Sequence, residues 1–198
     1  TTLIENDYIN QLFIGSTKEM LLFITNAGKA YWLKIHEIPE AEKNSRGSNI
    51  KGILQVGPDE EITTIVSLKE FSDDQYLFMT TAKGVVKKVK TSEFTNAKTR
   101  GIIGIKLNDG DKLISAVKTS GSSEVMMVSR CGKALRINED TVRTMGRASC
   151  GIKGMKLAEG DEIAAAVEVK EDSNIILLTE KGYGKRISFE LFSTHGRG

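Results

Sequence analysis

The sequence predicts an all-β protein built from a repeated, propeller-like unit, and three observations lead to that prediction. The 198 residues contain 19 glycines but only two prolines, which favours tight turns over flexible linkers. No convincing helix is present, and the best candidate, residues 92–97, is more typical of a loop with one helical turn. A glycine-centred pattern recurs at intervals of 56, 48 and 50 residues, about the length of a propeller blade, at Gly28, Gly84, Gly132 and Gly182.

Each repeat begins with a predicted β-hairpin. An apolar run leads into two or three polar residues and a glycine, and a second run then alternates apolar with basic or aromatic residues. Glycine at this place supplies the positive φ that a tight turn requires. The four hairpin stretches are LLFITNAGKAYWLKI (21–35), LFMTTAKGVVKKV (77–89), VMMVSRCGKALRI (125–137) and IILLTEKGYGKRI (175–187).

A basic loop, a short strand, an acidic turn and a closing strand are expected after each hairpin. The loop ends at Gly47, Gly101 or Gly151, which leads into a short strand such as 102–107 or 152–157. Each unit therefore holds about four strands. The closing strands are predicted at 62–68, 113–119 and 163–169.

We expect one domain over residues 1–198 with three complete units and two partial ones. The repeats run over about 18–68, 74–119, 122–169 and 172–198. Residues 1–17 resemble the end of a preceding blade, because 7–17 match a closing strand. A bladed ring usually needs at least four blades to close, so three complete units predict either a truncated ring or an open assembly.

Composition argues against several classes of protein. A hydrophobic content of 39% supports a packed core, and no segment approaches the roughly 20 apolar residues that span a bilayer. The N-terminus lacks the layout of a signal peptide, and two cysteines fit a reducing compartment. We therefore expect a cytoplasmic protein.

No catalytic, metal or cofactor site is expected in this chain. The turns at 109–111 and 159–161 lack the dense oxygen ligands of a calcium loop, and Cys131 and Cys150 occupy positions that other repeats fill differently. The loops with His36 and His195 lack a zinc pattern. The sequence contains neither a GxxxxGK[ST] phosphate loop nor a nucleophile elbow. Tyr31 and Trp32 are interpreted as core aromatics.

Charge is segregated along the chain although the net charge is only +2. The windows 28–51, 84–100, 132–156 and 181–198 hold 20 basic and 7 acidic residues, so they carry +13 while the remainder carries −11. If the units are blades around an axis, a basic loop in each blade forms a curved basic belt. Such a belt fits the phosphate backbone of bent duplex DNA.

Cations on this belt are the candidate DNA contacts. The fourth residue after each turn glycine is Trp32, Lys88, Arg136 or Arg186, which predicts three cations at one repeated site. Glycine-rich loops such as 146–151 offer backbone N–H groups as well. The full predicted set is Lys87, Lys88, Lys90, Lys98, Arg100, Lys133, Arg136, Arg143, Arg147, Lys153, Lys185, Arg186 and Arg197.

Three alternatives compete with the DNA hypothesis. The charges could serve only to keep strands soluble and to protect sheet edges. The same belt could bind an acidic protein, in which case bending of DNA would not be observed. An enzyme in the central channel would need inward polar groups, whereas the innermost runs are apolar.

Several motifs resemble those of the C-terminal domain of the DNA gyrase A subunit. The matching segments are GVVKK (84–88), VRTMGR (142–147), GIKG (151–154) and EKGYGKR (180–186), and the likeness covers essentially the whole chain. The corresponding domain of topoisomerase IV is a close relative. The segment 195–198 resembles the start of the basic, glycine-rich box of that family, which normally sits in the first blade.

This resemblance implies a fold and a function. The fold is a β-pinwheel, a propeller-like ring whose blades exchange strands, usually with six blades. The implied activity is wrapping of double-stranded DNA on the basic rim, which supports negative supercoiling. The implied partners are the N-terminal breakage-reunion part of the same polypeptide, which holds the catalytic tyrosine, and the gyrase B subunit, which holds the ATP site.

Overall fold

Short β-strands are the main regular secondary structure of the chain, with 3-10 turns at Ile35–Glu37, Thr91–Phe94, Glu139–Thr141 and Phe189–Leu191. The structure, a computed structural model, describes residues 12–42, 45 and 47–198. Most of the predicted preceding blade, 1–17, lies outside these residues, and 12–17 form no strand. The strands are β1 (Met20–Thr25), β2 (Lys29–Lys34), β3 (Ile62–Leu68), β4 (Tyr76–Thr81), β5 (Val85–Lys90), β6 (Ile102–Ile103), β7 (Leu113–Thr119), β8 (Glu124–Ser129), β9 (Ala134–Asn138), β10 (Ile152–Lys153), β11 (Ile163–Val169), β12 (Asn174–Leu178), β13 (Gly184–Ser188) and β14 (Thr194–His195).

Among the described residues these strands form three four-stranded sheets and one separate hairpin. The sheets have the orders β3-β1-β2-β6, β7-β4-β5-β10 and β11-β8-β9-β14, and are called the first, second and third blades. Strands β12 and β13 form the fourth hairpin. The predicted all-β, propeller-like fold is confirmed, and the three closing strands have the predicted bounds.

The outer strand of each blade comes from the following sequence repeat. Strand β6 pairs with β2, β10 pairs with β5, and β14 pairs with β9. This is the strand exchange that the resemblance implies. A sequence repeat and a blade are therefore different sets of residues, because the second and third repeats each supply three strands to their own blade and one to the blade before it.

The short strands differ from the prediction in length and, in the first repeat, in type. Strands β6 and β10 have two residues each instead of six, because the chain then turns to bind the preceding hairpin. After Gly47 the chain forms a single-turn helix, α1 (Ile50–Ile53), instead of a strand. The side chain of Asn49 accepts a hydrogen bond from the Lys51 amide at 3.0 Å, and Leu54 packs fully buried on the first blade.

The closing strands lie side by side at the inner edge of the blades. Strand β7 contacts both β3 and β11. The Ala116 amide donates to Thr64 Oγ1 at 3.2 Å, and Ser115 Oγ donates to the Ala166 carbonyl at 3.2 Å. The opposite edge of each sheet, formed by β6, β10 or β14, therefore faces outward.

The hydrophobic core fills the spaces between successive blades. Alternate residues of a strand point to opposite faces of its sheet, so one strand contributes to two spaces. Leu77 and Met79 of β4 pack toward the first blade, whereas Phe78 packs toward the third. Met126 faces Ile175 and Phe189 of the fourth repeat. Each blade is thus stabilised by burial against its neighbours.

The carbonyl of a turn glycine receives the next repeat. Gly28 O accepts hydrogen bonds from the amides of Gly104 and Ile105 at 2.8 and 3.1 Å. Gly84 O accepts from Gly154 and Met155 at 2.9 and 3.1 Å. Because Gly84 has a φ of 79° and an added Cβ would lie 2.5 Å from the Met155 carbonyl, this approach requires glycine.

The fourth residue after the turn glycine also holds the next repeat. Trp32 Nε1 donates to the Thr95 carbonyl at 3.1 Å, and Lys88 Nζ lies 4.0 Å from Asp140. Arg136 donates to the carbonyls of Phe189 and Phe192 at 2.8 and 3.2 Å. Hydrogen bonds from Arg136 and then from Thr194 hold the pKa of Glu124 below its ordinary value. These side chains thus bind each of the first three repeats to the repeat that follows it.

Replacing Gly84 by alanine should destabilise the protein more than the same change at Gly132. Both glycines have a positive φ, at 79° and 82°, so both variants carry a backbone strain of about 1–2 kcal/mol. Only Gly84 also approaches a carbonyl, because the space around Gly132 is open. Urea unfolding of the two variants measures the difference, and equal decreases in stability would contradict the role given to the close approach.

Replacing Arg136 by alanine should lower the free energy of unfolding by about 1–3 kcal/mol, because it leaves carbonyls and the Glu124 carboxylate without their donor. Arg186→Ala, at the equivalent exposed position, should change it by less than about 0.5 kcal/mol. The folded-state pKa of Glu124 is lowered, so the part of the Arg136 contribution that comes from Glu124 is present at neutral pH and is lost as the pH falls through that pKa, whereas the hydrogen bonds to the two carbonyls remain. Urea unfolding at neutral and acidic pH tests both points.

Candidate nucleic-acid interface

The basic loops lie along the outer edges of successive blades. The Trp32 amide donates to the Lys98 carbonyl at 3.0 Å, which places the loop after β5 on the first blade. Thr144 bridges to Lys88 on the second blade, and Thr194 pairs with Arg136 on the third. We call the segments 95–106, 142–156 and 194–198 the rim.

Direct hydrogen bonds join each rim segment to the next. The Lys106 amide donates to the Ser149 carbonyl at 3.0 Å, and the Gly198 amide donates to the Gly154 carbonyl at 3.1 Å. Arg147 donates to the Ile103 carbonyl at 3.4 Å. Arg197 makes the equivalent contact with Lys153, at 3.1 Å, one repeat later. The rim is therefore one connected surface across three blades.

Six predicted cations are displayed on this surface. Five of them are exposed and Arg147 is half-buried. None of the six takes part in an ion pair within 4.0 Å among the described residues. Their free N–H groups can donate to phosphate oxygens. These cations are Lys98, Arg100, Arg143, Arg147, Lys153 and Arg197.

Three predicted contacts have side chains that are bound by protein, and for Lys87 and Lys88 burial contradicts the prediction. Lys87 is 0% exposed and Lys88 only 6% exposed. Lys88 lies 5.4 Å from the centre of the Tyr76 ring, and Arg136 is held by Glu124 and two carbonyls. The sequence pattern identified an equivalent site, the fourth residue after each turn glycine, but in the first three repeats this residue binds the next repeat.

The remaining predicted cations lie elsewhere on the surface. Lys90 faces Asp73 at 3.5 Å. Lys133 lies beside a hairpin turn, where its Nζ donates to the carbonyl of the rim residue Lys156 at 2.7 Å. Lys185 and Arg186 are exposed on β13, whose outer edge has no partner strand in the described part of the chain.

Two rim cations were missed by the sequence analysis. Lys106 and Lys156 are exposed at equivalent positions, directly after the segments that bind the turn-glycine carbonyls. A signal was present, because each stands two residues after a repeated glycine, Gly104 or Gly154. They lengthen the line of cations on each rim segment.

The acidic turns accept hydrogen bonds from backbone amides in the hairpin turns of the same repeats. Asp111 Oδ1 accepts from the Lys83 amide at 3.0 Å, and Asp161 Oδ1 accepts from the Cys131 amide at 3.1 Å. Hydrogen bonding from Ser129 lowers the pKa of Asp161. The Asp161 carboxylate also accepts a hydrogen bond from the Cys131 thiol, which raises the pKa of that thiol. These carboxylates therefore have structural partners.

Other predicted features can also be placed. Tyr31 is buried, and burial followed by the charge of Glu60 raises its pKa to about 12. Trp32 packs on Phe71 with ring centres 5.3 Å apart. Cys131 and Cys150 are free and exposed, the latter within the rim. Within residues 12–42, 45 and 47–198, no group of three potential metal ligands occurs.

In the same residues the structure has no helix with the length and apolar content to cross a membrane.

Comparison with known proteins gives one consistent family. The family model of the DNA gyrase C-terminal domain, described as a beta-propeller, matches residues 19–69, 75–120, 123–170 and 173–198. The chain is 56% identical over 144 residues to the DNA gyrase A subunit of Treponema pallidum (strain Nichols), covering 73% of this chain and 18% of that protein. For the DNA gyrase A subunit of Neisseria gonorrhoeae the identity is 42%, over 68% of this chain and 15% of that protein.

Two solved structures share the fold at moderate identity. The DNA gyrase A C-terminal domain superposes with a TM-score of 0.80 at 36% identity, covering 93% of this chain and 59% of that structure. The C-terminal domain of DNA topoisomerase IV superposes with a TM-score of 0.83 at 29% identity, covering 92% and 57%.

The exchanged outer strands, the connected basic rim and the family match along four repeats lead to the same conclusion. The chain belongs to the DNA gyrase A C-terminal domain family, and is thus part of a subunit of a type II topoisomerase.

Proposed function

We propose that this chain binds double-stranded DNA through its phosphate backbone and bends and wraps it on the rim. In this role it is a non-catalytic module of a type II topoisomerase that supports negative supercoiling and strand passage. The observation that carries the proposal is the rim itself, where exposed cations from two successive repeats and Arg197 of a third lie on one hydrogen-bonded surface.

The position of the rim argues for bending. The inner strands β3 and β11 both contact β7, and the rim lies at the opposite edges of the sheets, so we infer that the rim is convex. Duplex DNA is stiff over the length of such a site, and bending it by 40–90° costs on the order of 1–6 kcal/mol. Cations on successive blades offset this cost by adding phosphate contacts as the duplex follows the surface.

The rim is suited to phosphate contacts and not to base recognition. Its charged groups lie on short loops and two-residue strands, and it has no helix or long ribbon to enter a major groove. Lysine, arginine and backbone N–H groups contact phosphate regardless of sequence. Binding should therefore be independent of sequence and strongly dependent on salt.

The partners follow from the family and extend beyond this chain. The chain spans 18% or less of the length of the Treponema and Neisseria gyrase proteins that it matches. We propose that it works with the N-terminal breakage-reunion part of its own polypeptide and with gyrase B, in the cytoplasm on bacterial DNA. The wrapping step needs no cofactor in this chain.

Replacing Arg100, Arg143 and Lys153 together by alanine should weaken binding to duplexes of any sequence and reduce their bending. The slope of the logarithm of the binding constant against the logarithm of the salt concentration should become less steep by about 0.9 for each phosphate that is no longer neutralised. The free energy of unfolding should change by less than about 0.5 kcal/mol per exposed residue. Binding and bending are measured with fluorescently labelled duplexes at two salt concentrations.

A control variant removes the same charge away from the rim. Lys69, Lys118 and Lys170 are exposed near the ends of the inner strands, and replacing them by alanine should leave DNA bending close to that of the parent. Equal decreases in the two triple variants would show that only net charge matters. Binding without bending would favour an acidic protein as the partner of the same surface.

A further inference from the structure

One buried ammonium group lies at the junction between two rim segments. Lys87 in β5 is 0% exposed, yet it is a cation. Its Nζ donates to the carbonyls of Gly104 and Ser149 at 2.9 and 3.0 Å, and also to the carbonyl of Arg147. All three N–H groups of the ammonium are therefore used, which is the condition for burying such a charge.

The three carbonyls belong to two different rim segments. Gly104 is in the segment on the first blade, whereas Arg147 and Ser149 are in the segment on the second. The other links between these segments are the Lys106 amide to Ser149 and the 3.4 Å contact of Arg147 with Ile103. Lys87 therefore makes the largest number of hydrogen bonds among the groups at this junction.

The fold does not require lysine at this place. The equivalent residues, three after each turn glycine, are Tyr31, Leu135 and Lys185. The Tyr31 hydroxyl donates to Glu60 of its own repeat, Leu135 is partly buried apolar, and Lys185 is exposed. A buried lysine that joins neighbouring rim segments is thus a feature of the second blade.

We propose that Lys87 is a positioning residue for DNA binding, which fixes the spacing of the two rim segments through the carbonyls of Gly104, Arg147 and Ser149 without touching phosphate. The inference rests on the proposed DNA-binding function. Its consequence is that the exposed cations Arg100, Arg143 and Lys153 present one fixed pattern to the duplex only while Lys87 holds both segments.

The same geometry makes the junction sensitive to pH. Burial lowers the pKa of Lys87 to about 8, with Cys150 and Glu93 acting to raise it and Arg147 to lower it further. A neutral amine has two N–H groups for three carbonyl acceptors, so one rim carbonyl loses its donor above this pH. DNA affinity should therefore fall as the pH rises through about 8.

Deprotonation of Lys87 does not lower the affinity for DNA by unfolding the protein. The folded-state pKa of Lys87 lies below its ordinary value of 10.5, so the unfolded chain binds the proton more tightly. Its linked contribution to stability consequently increases as the pH rises from about 8 toward 10.5. Affinity and stability are thus expected to change in opposite directions in this window.

The test compares Lys87→Leu with the parent, using the residue that the third blade has at this position. Lys87→Met is a second, unbranched replacement, and Lys118→Met removes an exposed lysine as the charge-matched control. All are made both with Cys150 and with Cys150→Ser, because this side chain influences the Lys87 ammonium. Duplex affinity is measured at about pH 7 and about pH 9 at fixed ionic strength. Hydrogen exchange of the Lys106 amide is measured separately, in the absence of DNA.

At about pH 7 the Lys87 variants should bind duplex about tenfold more weakly than the parent, which corresponds to about 1.4 kcal/mol. Their affinity should be almost independent of pH, whereas that of the parent and of Lys118→Met should fall toward pH 9. The Lys106 amide should lose protection only in the Lys87 variants.

Unchanged affinity, pH profile and Lys106 protection in the Lys87 variants would overturn the proposal. If the parent binds no DNA, the proposed function fails, and exchange at Lys106 still decides whether Lys87 positions the rim. If neither variant folds, the parent decides alone, because constant affinity from about pH 7 to about pH 9 would contradict the role of the ammonium.

Discussion

The structure depends on one repeated interaction, the return of each sequence repeat to the hairpin turn of the preceding blade. The carbonyls of Gly28 and Gly84 each accept two amide hydrogen bonds from the following repeat. That contact follows directly on the two-residue outer strand paired with the preceding sheet, and the Leu113 and Ile163 amides, at the starts of the closing strands, donate to carbonyls of the same hairpins. It places the basic loops on the outer edge of the preceding blade, next to the apolar faces that the blades share.

Repeat equivalence in the sequence does not mean equivalence in role. Lys88, Arg136 and Arg186 occupy the same position in three repeats, yet the first two bind the next repeat and the third is exposed. The cations that face outward are instead those on the loops and just after the short strands. A basic side chain at this repeated position is available to phosphate only where it does not donate hydrogen bonds to the following repeat.

Hairpins and closing strands could be predicted because their signals are local. The turn glycines and the alternation of apolar residues lie within about 15 residues, and β3, β7 and β11 have the predicted bounds. The strand exchange was available only from the family resemblance, because pairing of β6 with β2 joins residues about 70 positions apart and leaves no local pattern. The burial of Lys87 could not be predicted for the same reason, since its carbonyl partners come from two other segments. The helix α1 replaced an expected strand because residues 50–54 pack on the first blade.

The offset between repeats and blades also constrains the order of synthesis. Strand β3 completes the inner edge of the first blade at residue 68. The outer strand of that blade, β6, is synthesised only at residues 102–103. While the chain emerges from a ribosome, the outer edge of β2 therefore stays unpaired until most of the second repeat has been translated. Each newly made repeat completes the blade before it, so maturation proceeds from the N-terminal blade onward, and a translational pause inside a repeat would leave an open sheet edge available to other chains.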